Sequence, residues 1–351
     1  MTPISNPREV LRKVSFGKIV FSRQPIILAP MEDVTDPPFR LICREMGADW
    51  VYTEFISADG LIRDAHKSLQ KLDIQSKERP VSIQIFGADI ASMVEAARVA
   101  ANSNPDFVDI NFGCPVRKVA SKGAGSGIMN DVPKMAEMTR RIVEAVDVPV
   151  TVKTRLGYDK QTKNIVDIAE HLQDCGIAAL AIHGRTRCQL YTGQADWSLI
   201  GAVKNNPRMH IPIIGNGDIT NPQEALHALD RYGVDGIMIG RAAIGNPWVF
   251  KEVTRFFDKG EVASPPDVTE RIAVCRSHLE ASVAWKGERV AIFEMRRHYS
   301  QYFKGMVHFK PFRMKLVGAS SLDELQEIFD EILTVDFSKV PSLPDATESA
   351  S

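Results

Sequence analysis

Several residues able to do chemistry stand where short apolar runs stop. Phe107, Val108 and Ile110 are apolar and β-prone, and that run ends at Asn111-Phe112-Gly113-Cys114-Pro115. Pro115 lacks a backbone donor and Gly113 allows a tight bend, so the strand stops and presents a thiol at its mouth. A thiol near its ordinary pKa of about 8.5 is mainly protonated at neutral pH, so Cys114 could act as a general acid. With a base nearby it would be a nucleophile instead, and most lone cysteines only pack. Lys153 sits in Val-Lys-Thr-Arg, an otherwise apolar strand end, where a lysine is costly unless it faces an anion. It suits either a Schiff-base lysine or a cation holding negative charge on a cofactor.

Other strand ends extend the pattern. Reading them in order gives Pro30-Met31, Glu54, Gln84, Asn111 with Cys114, Lys153 with Arg155, His183 with Arg185, Asn216-Gly217-Asp218, and Gly240-Arg241. The ring is polar and mostly cationic. Gln84 can donate and accept at the edge of a heterocycle. Asn216-Gly217-Asp218 and Gly240-Arg241 pair glycines, which expose backbone donors, with a fixed cation, a combination suited to phosphate. His183 is either a phosphate partner or a core histidine, and its strand-end position favours the former. Gly123, Gly125 and Gly127 form a loop whose bare backbone could approach a substrate.

The elements that must hold these residues repeat as strand then helix. After a polar leader, Ile26-Ile27-Leu28 reads as a buried strand, and Asp36-Pro37 caps a helix carrying Phe39, Ile42, Cys43 and Met46 on one face. Further strands read at 50–55, 81–86, 107–112, 150–154, 180–183, 213–215 and 236–239, with Asp89 and Asp131 capping amphipathic helices between them. Strands apolar on both faces that alternate with helices imply a parallel sheet wrapped in helices, and eight such units favour a closed (β/α)8 barrel over an open doubly wound sheet. In that fold chemistry sits at the carboxyl ends of the strands, and the last two loops often bind phosphate.

The barrel is expected over residues 1–258, a linker over 259–270, a small all-helical domain over 271–335, and a polar, disordered tail over 336–351. The helical domain is strongly basic between Lys286 and Lys315: Lys286, Arg289, Arg296, Arg297, Lys304, Lys310, Arg313 and Lys315 stand against Glu288 and Glu294. Phe293, Tyr299, Tyr302, Phe303, Phe309 and Phe312 are interleaved with them. Such a patch is either a solvated face over a helical core or a surface for phosphates and unpaired bases.

With 351 residues and a net charge of −1, the chain can bury a large core and has no overall attraction to nucleic acid. Five cysteines without paired spacing argue for a reducing cytoplasm rather than a disulfide framework or structural zinc. No signal peptide and no run long enough to span a bilayer are seen, so a cytoplasmic protein without membrane attachment is expected. No obligate protein partner is evident.

The sequence resembles the tRNA-dihydrouridine synthases of the bacterial B-like type, from about Ile26 to Leu316. Asn111-Phe112-Gly113-Cys114-Pro115, followed by Gly125-Ser126, fits the family signature. Ala29-Pro30-Met31, Gln84-Ile85-Phe86-Gly87, Val152-Lys153-Thr154-Arg155, Ile182-His183-Gly184-Arg185-Thr186, Gly215 to Asp218 and Ile239 to Trp248 follow in the expected order. The resemblance implies a barrel that binds FMN and reduces specific uridines of tRNA, with NADPH as reductant. It implies that Cys114 is the catalytic acid and that Lys153 lies near the flavin ring. By the same resemblance Pro30, Met31, Glu32 and Gln84 contact the ring, and His183, Asn216, Gly217, Asp218, Gly240 and Arg241 lie toward the ribityl-phosphate. Asn111, Arg155, Arg185, Arg296 and Arg297 would meet the substrate. Glu32-Asp33 departs from the small residues often found after Ala-Pro-Met, so backbone contacts are expected there. No Rossmann unit is present, which suits NADPH and RNA visiting the flavin in turn. A flavin reductase of free pyrimidines, a Schiff-base aldolase using Lys153 and a catalytically silent RNA-binding module are the competing readings.

Overall fold

The computed structural model describes residues 7–335 and 337. The chain divides into two units, the first running to Ala243 and resuming over Pro247–Ala263, the second comprising Ile244–Asn246 and everything from Ser264. The tail expected from residue 336 lies outside the described residues, apart from Phe337, and so do residues 1–6 of the leader.

In the first unit, β1 (Val14–Phe16) and β2 (Ile19–Phe21) form an antiparallel hairpin. Eight parallel strands then close into a barrel: β3 (Ile26–Leu28), β4 (Trp50–Ser57), β5 (Val81–Phe86), β6 (Phe107–Asn111), β7 (Val150–Arg155), β8 (Ala179–His183), β9 (Ile213–Asn216) and β10 (Gly236–Ile239). The last strand pairs with the first, Ile237 opposite Ile26. The predicted helix starts are real: Asp36, Asp89 and Asp131 each accept a hydrogen bond from the backbone N–H three residues on.

The hairpin corrects the reading of a polar leader. Phe16 is fully buried and packs edge-on against Trp50, with ring centroids 5.4 Å apart, and Trp50 stacks on Phe107 at 4.5 Å. Trp50 and Phe107 open their strands, so the hairpin closes the end of the barrel where strands begin. The opposite end is left for chemistry, and register sets its layers. Gln84, Asp109 and Thr151 pair across β5, β6 and β7; one step higher Asn111 pairs with Lys153, and above that Arg155 pairs with His183 and His183 with Asn216.

The second unit is helical, with helices at Val268–Lys286, Glu288–Tyr302, Lys310–Gly318 and Leu322–Thr334. The sequence pattern marks helices at about 269–285, 288–304 and 321–333 and gives no sign of Lys310–Gly318. Tyr299, Tyr302, Phe303 and Phe309 are buried and form its core, whereas Phe293 is 66% exposed. Most of the interleaved aromatics therefore pack inside and cannot stack on bases. No helix of the described residues is long and apolar enough to cross a membrane.

Candidate active site at the barrel mouth

Cys114 stands just past the end of β6, and its loop is held from three sides. Asn111 Oδ1 accepts from the backbone N–H groups of Gly113 and Cys114, at 3.0 and 2.8 Å. Arg155 Nε donates to the Gly113 carbonyl at 2.7 Å. The Cys114 carbonyl accepts from Ser126 N at 3.1 Å and Ser126 Oγ at 2.7 Å. The glycine loop serves this packing. At Gly125, with φ +54°, an added Cβ would lie 2.9 Å from the Cys114 carbonyl oxygen, and at Gly127 it would lie 2.1 Å from the Ala120 carbonyl oxygen. The close approach expected toward a substrate is, at these two glycines, an approach to the chain itself.

The thiol is largely buried, with 6% of the residue exposed. Burial raises its pKa above the ordinary value, while a hydrogen bond from the Val116 backbone and the cations Arg155 and Lys153 oppose the rise. A raised pKa keeps Cys114 in the thiol form at neutral pH, the form that a proton donor needs and a thiolate nucleophile does not. Lys153 is pulled down to about 8 by burial and then by Arg155, against the opposing pull of Asp109 and Cys114. His183 is held well below its usual range by burial and by Arg155, Lys153, Arg185 and Arg241, so its imidazole is neutral. It can offer a hydrogen bond but not the charge expected of a phosphate partner.

Several expected contacts are already committed within the protein. Arg185 is buried; its guanidinium donates to Asp218 Oδ1 and Oδ2 at 2.8 and 2.7 Å and to the Thr192 and Gly193 carbonyls. It braces a loop and does not face RNA. The Asp218 carboxylate also accepts from Ala195 N and Arg241 Nη2, so its side chain is a hub for cations rather than a ligand for phosphate. Its pKa lies below the ordinary value because Arg185, the Ala195 N–H and Arg241 outweigh burial. Asn216 Nδ2 bonds the Met238 carbonyl at 2.7 Å and ties β9 to β10. Gln84 is fully buried, donating to Asp109 and accepting from Asn111. Glu32 is exposed and paired with Lys71 at 2.6 Å, so its carboxylate is turned to a lysine. Arg155 is buried and gives two further hydrogen bonds, to the Thr186 and Leu190 carbonyls. Pro30 and Met31 keep a partly open position; Met31 N donates to Thr35 Oγ1, and Gly240 lies close by, an added Cβ falling 3.7 Å from Met31 Sδ. Gly217, at φ +132°, has no room for a side chain, since a Cβ would come within 2.7 Å of Ala195 and 3.2 Å of His183.

Tyr191 was missed. It is 53% exposed and its ring stands against two guanidiniums, Arg241 at 4.7 Å and Arg155 at 5.6 Å, with His183 at 6.3 Å. No spacing in the Cys188-to-Trp197 loop marks it; only the fold brings it to the mouth. Arg296 and Arg297 belong to the helical unit. Arg296 Nη2 donates to the Ala319 carbonyl and the guanidinium covers Phe293 at 5.8 Å, so Arg296 is partly engaged in packing.

The dihydrouridine synthase family model matches residues 27–337, spanning the whole barrel and the helices after it. The chain belongs to the dihydrouridine synthase family. It is 40% identical over 293 residues to tRNA-dihydrouridine synthase B of Pseudomonas putida, covering 84% of this chain and 86% of that one. It is 43% identical over 279 residues to the synthase B of Xanthomonas campestris, covering 80% and 83%. Dihydrouridine synthases are flavin-dependent oxidoreductases, and this chain is an enzyme of that class. Among solved structures, histamine dehydrogenase from Rhizobium sp. 4-9 superposes with a TM-score of 0.58 at 12% identity, covering 79% of this chain and 51% of that one, a likeness of fold alone.

The mouth suits the flavin of a dihydrouridine synthase. Arg155 is lowered to about 10 by burial and then by Arg185 and Arg241, and Arg155 in turn lowers Lys153. Of the carboxylates near these cations, Asp109 is hydrogen-bonded to Gln84 and Thr151, and Asp218 is shared between Arg241 and Arg185. An anionic ligand would relieve that repulsion.

Proposed function

We propose that this protein reduces specific uridines of tRNA to 5,6-dihydrouridine, using FMN as its flavin and NADPH as reductant. The observation that carries the reading is the protonated Cys114 thiol, fixed at the end of β6 within the electrostatic reach of Lys153 and Arg155. FMN, when bound there, would supply the hydride chemistry at C6 of the uracil, with NADPH as the source of reducing equivalents. Cys114 supplies the other hydrogen, as a proton to C5, so that one hydride and one proton saturate the double bond. Once the proton has left, the sulfur carries negative charge, and Arg155 and Lys153 stabilise it. Lys153 also stands ready to balance negative charge on the reduced ring, and Arg241 with the backbone at Gly217 and Gly240 suits the phosphate. Tyr191, half exposed beside two guanidiniums, is an aromatic ring against which a flipped-out base can pack.

The tRNA reading draws on the helical unit as well. Arg289, Lys304, Lys310 and Arg313 are exposed, and none of them pairs with a carboxylate among the described residues. Such cations neutralise phosphates without reading sequence. The test is to incubate the purified protein with NADPH and tRNA transcribed without modification. Dihydrouridine at defined positions is expected; reduction of free uracil or orotate to the dihydropyrimidine, with none in tRNA, would replace this reading with a reductase of free pyrimidines.

A further inference from the structure

Beneath the thiol loop lies a chain of hydrogen bonds that the chemistry above does not use. Thr151 Oγ1 donates to Asp109 Oδ1 at 2.5 Å, and Gln84 Nε2 donates to Asp109 Oδ2 at 2.6 Å. Gln84 Oε1 then accepts from Asn111 Nδ2 at 2.8 Å, which leaves Asn111 Oδ1 to receive the N–H groups of Gly113 and Cys114. Asp109 and Gln84 are fully buried and Asn111 nearly so, which makes an unmatched donor or acceptor there expensive.

An amide can turn over and exchange its donor for its acceptor, so neither Gln84 nor Asn111 fixes its own direction. A carboxylate has no such freedom, because when ionised it only accepts. We infer that Asp109 is a positioning residue: as an acceptor-only anchor it sets the direction of the Gln84–Asn111 chain and thereby holds the Cys114 loop in place. The two ends agree independently. Asp109 demands a donor from Gln84, and the paired N–H groups of Gly113 and Cys114 demand an acceptor from Asn111; only one orientation of both amides satisfies both.

The consequence for uridine reduction rests on Cys114 being the acid, but the direction of the chain does not. Asp109→Asn keeps the shape but replaces the acceptor-only anchor by an amide that can present either its oxygen or its N–H to Gln84, the Thr151 hydroxyl adapting to whichever group remains. Both directions of the chain are then open, and in the reversed one Gln84 and Asn111 turn and an amide N–H faces the two backbone N–H groups of the thiol loop, which loosens it. Adding Asn111→Asp restores a complete chain of reversed polarity. The new amide at position 109 then donates to Gln84, Gln84 donates to the new carboxylate at position 111, and that carboxylate accepts from the loop.

The test measures the rate at which iodoacetamide modifies Cys114 in the folded protein, read on the Cys114 peptide by mass spectrometry so that the exposed Cys188 does not interfere. Asp109→Asn is expected to raise that rate about tenfold, and the double variant to return it to within about threefold of the parent. Thr151→Val deletes a bond to Asp109 without reversing anything; it should lower the melting temperature and leave the thiol rate unchanged. Gln84→Met cuts the chain but keeps the Asp109 charge beside Lys153, and it should raise the rate as Asp109→Asn does. An unchanged rate in Gln84→Met overturns the inference, whether or not Asp109→Asn folds. So does a double variant no closer to the parent than Asp109→Asn, or a Thr151→Val protein whose thiol reacts as fast as either. None of these readings requires turnover, so a Cys114 dispensable for uridine reduction would leave them standing.

Discussion

Arg155 Nε bonds the Gly113 carbonyl at 2.7 Å, and through that bond the guanidinium reaches from the end of β7 to the residue before Cys114. The same guanidinium holds the carbonyls of Thr186 and Leu190 on the loop that carries Tyr191. One side chain thus joins the two loops that frame the mouth.

Replacing Arg155 by methionine should cost about 3 kcal/mol of stability, since it leaves buried carbonyls without donors. It should also remove a cation that favours the departing proton of Cys114. Denaturant unfolding of the variant checks the first effect. A loss below about 1 kcal/mol would mean that water satisfies the carbonyls as well as the guanidinium does.

The position of Lys153 gives a pH dependence. Its pKa, lowered to about 8, means the cation is present below that pH and is lost as pH rises through it. FMN affinity of the flavin-stripped protein should therefore fall between about pH 7 and pH 9, and Lys153→Met should bind weakly at both ends of that range. Titration by fluorescence quenching would show it. A wild-type affinity constant across the range would remove Lys153 from the flavin's charge balance.

Neutralising Lys310 and Arg313 together should weaken tRNA binding for all sequences alike, and should flatten the dependence of log affinity on log salt by roughly two phosphate contacts. Filter binding over a series of salt concentrations measures both. An unaltered slope would place the RNA surface elsewhere. Arg296→Ala should cost stability more visibly than affinity, because its guanidinium is bound to Ala319 and laid on Phe293.

The barrel was legible because each strand is a short apolar run closed by proline, glycine or a polar residue, and because Asp36, Asp89 and Asp131 announce their helices. The hairpin was not. Val14 to Phe21 mixes polar and apolar residues at the period of a half-exposed strand, and only the open end of a barrel gives its inner face something to cover. The helix Lys310–Gly318 escaped for a related reason, since Leu316 is its one fully buried side chain and little periodicity remains to be read. At the site, residue types were informative and partners were not. Nothing in the spacing separates Arg241, exposed at the rim, from Arg185, buried against Asp218, and nothing marks Asp109 as more than a polar interruption in a strand.

Because Phe16 seals the barrel floor, its truncation gives an independent check of that correction. Phe16→Ala should destabilise the protein by about 3–5 kcal/mol, the usual cost of emptying an aromatic site in a packed core. A melting curve indistinguishable from the parent would show that the hairpin merely lies against the barrel.

The proton-donating role of Cys114 is tested most directly by splitting the reaction of Cys114→Ala into its halves. Oxidation of NADPH by the flavin-loaded variant should proceed at the parent rate, while dihydrouridine formation in unmodified tRNA, followed in a single turnover, should fall by about 10²–10⁴-fold. Parent-like formation of dihydrouridine by that variant would contradict the account.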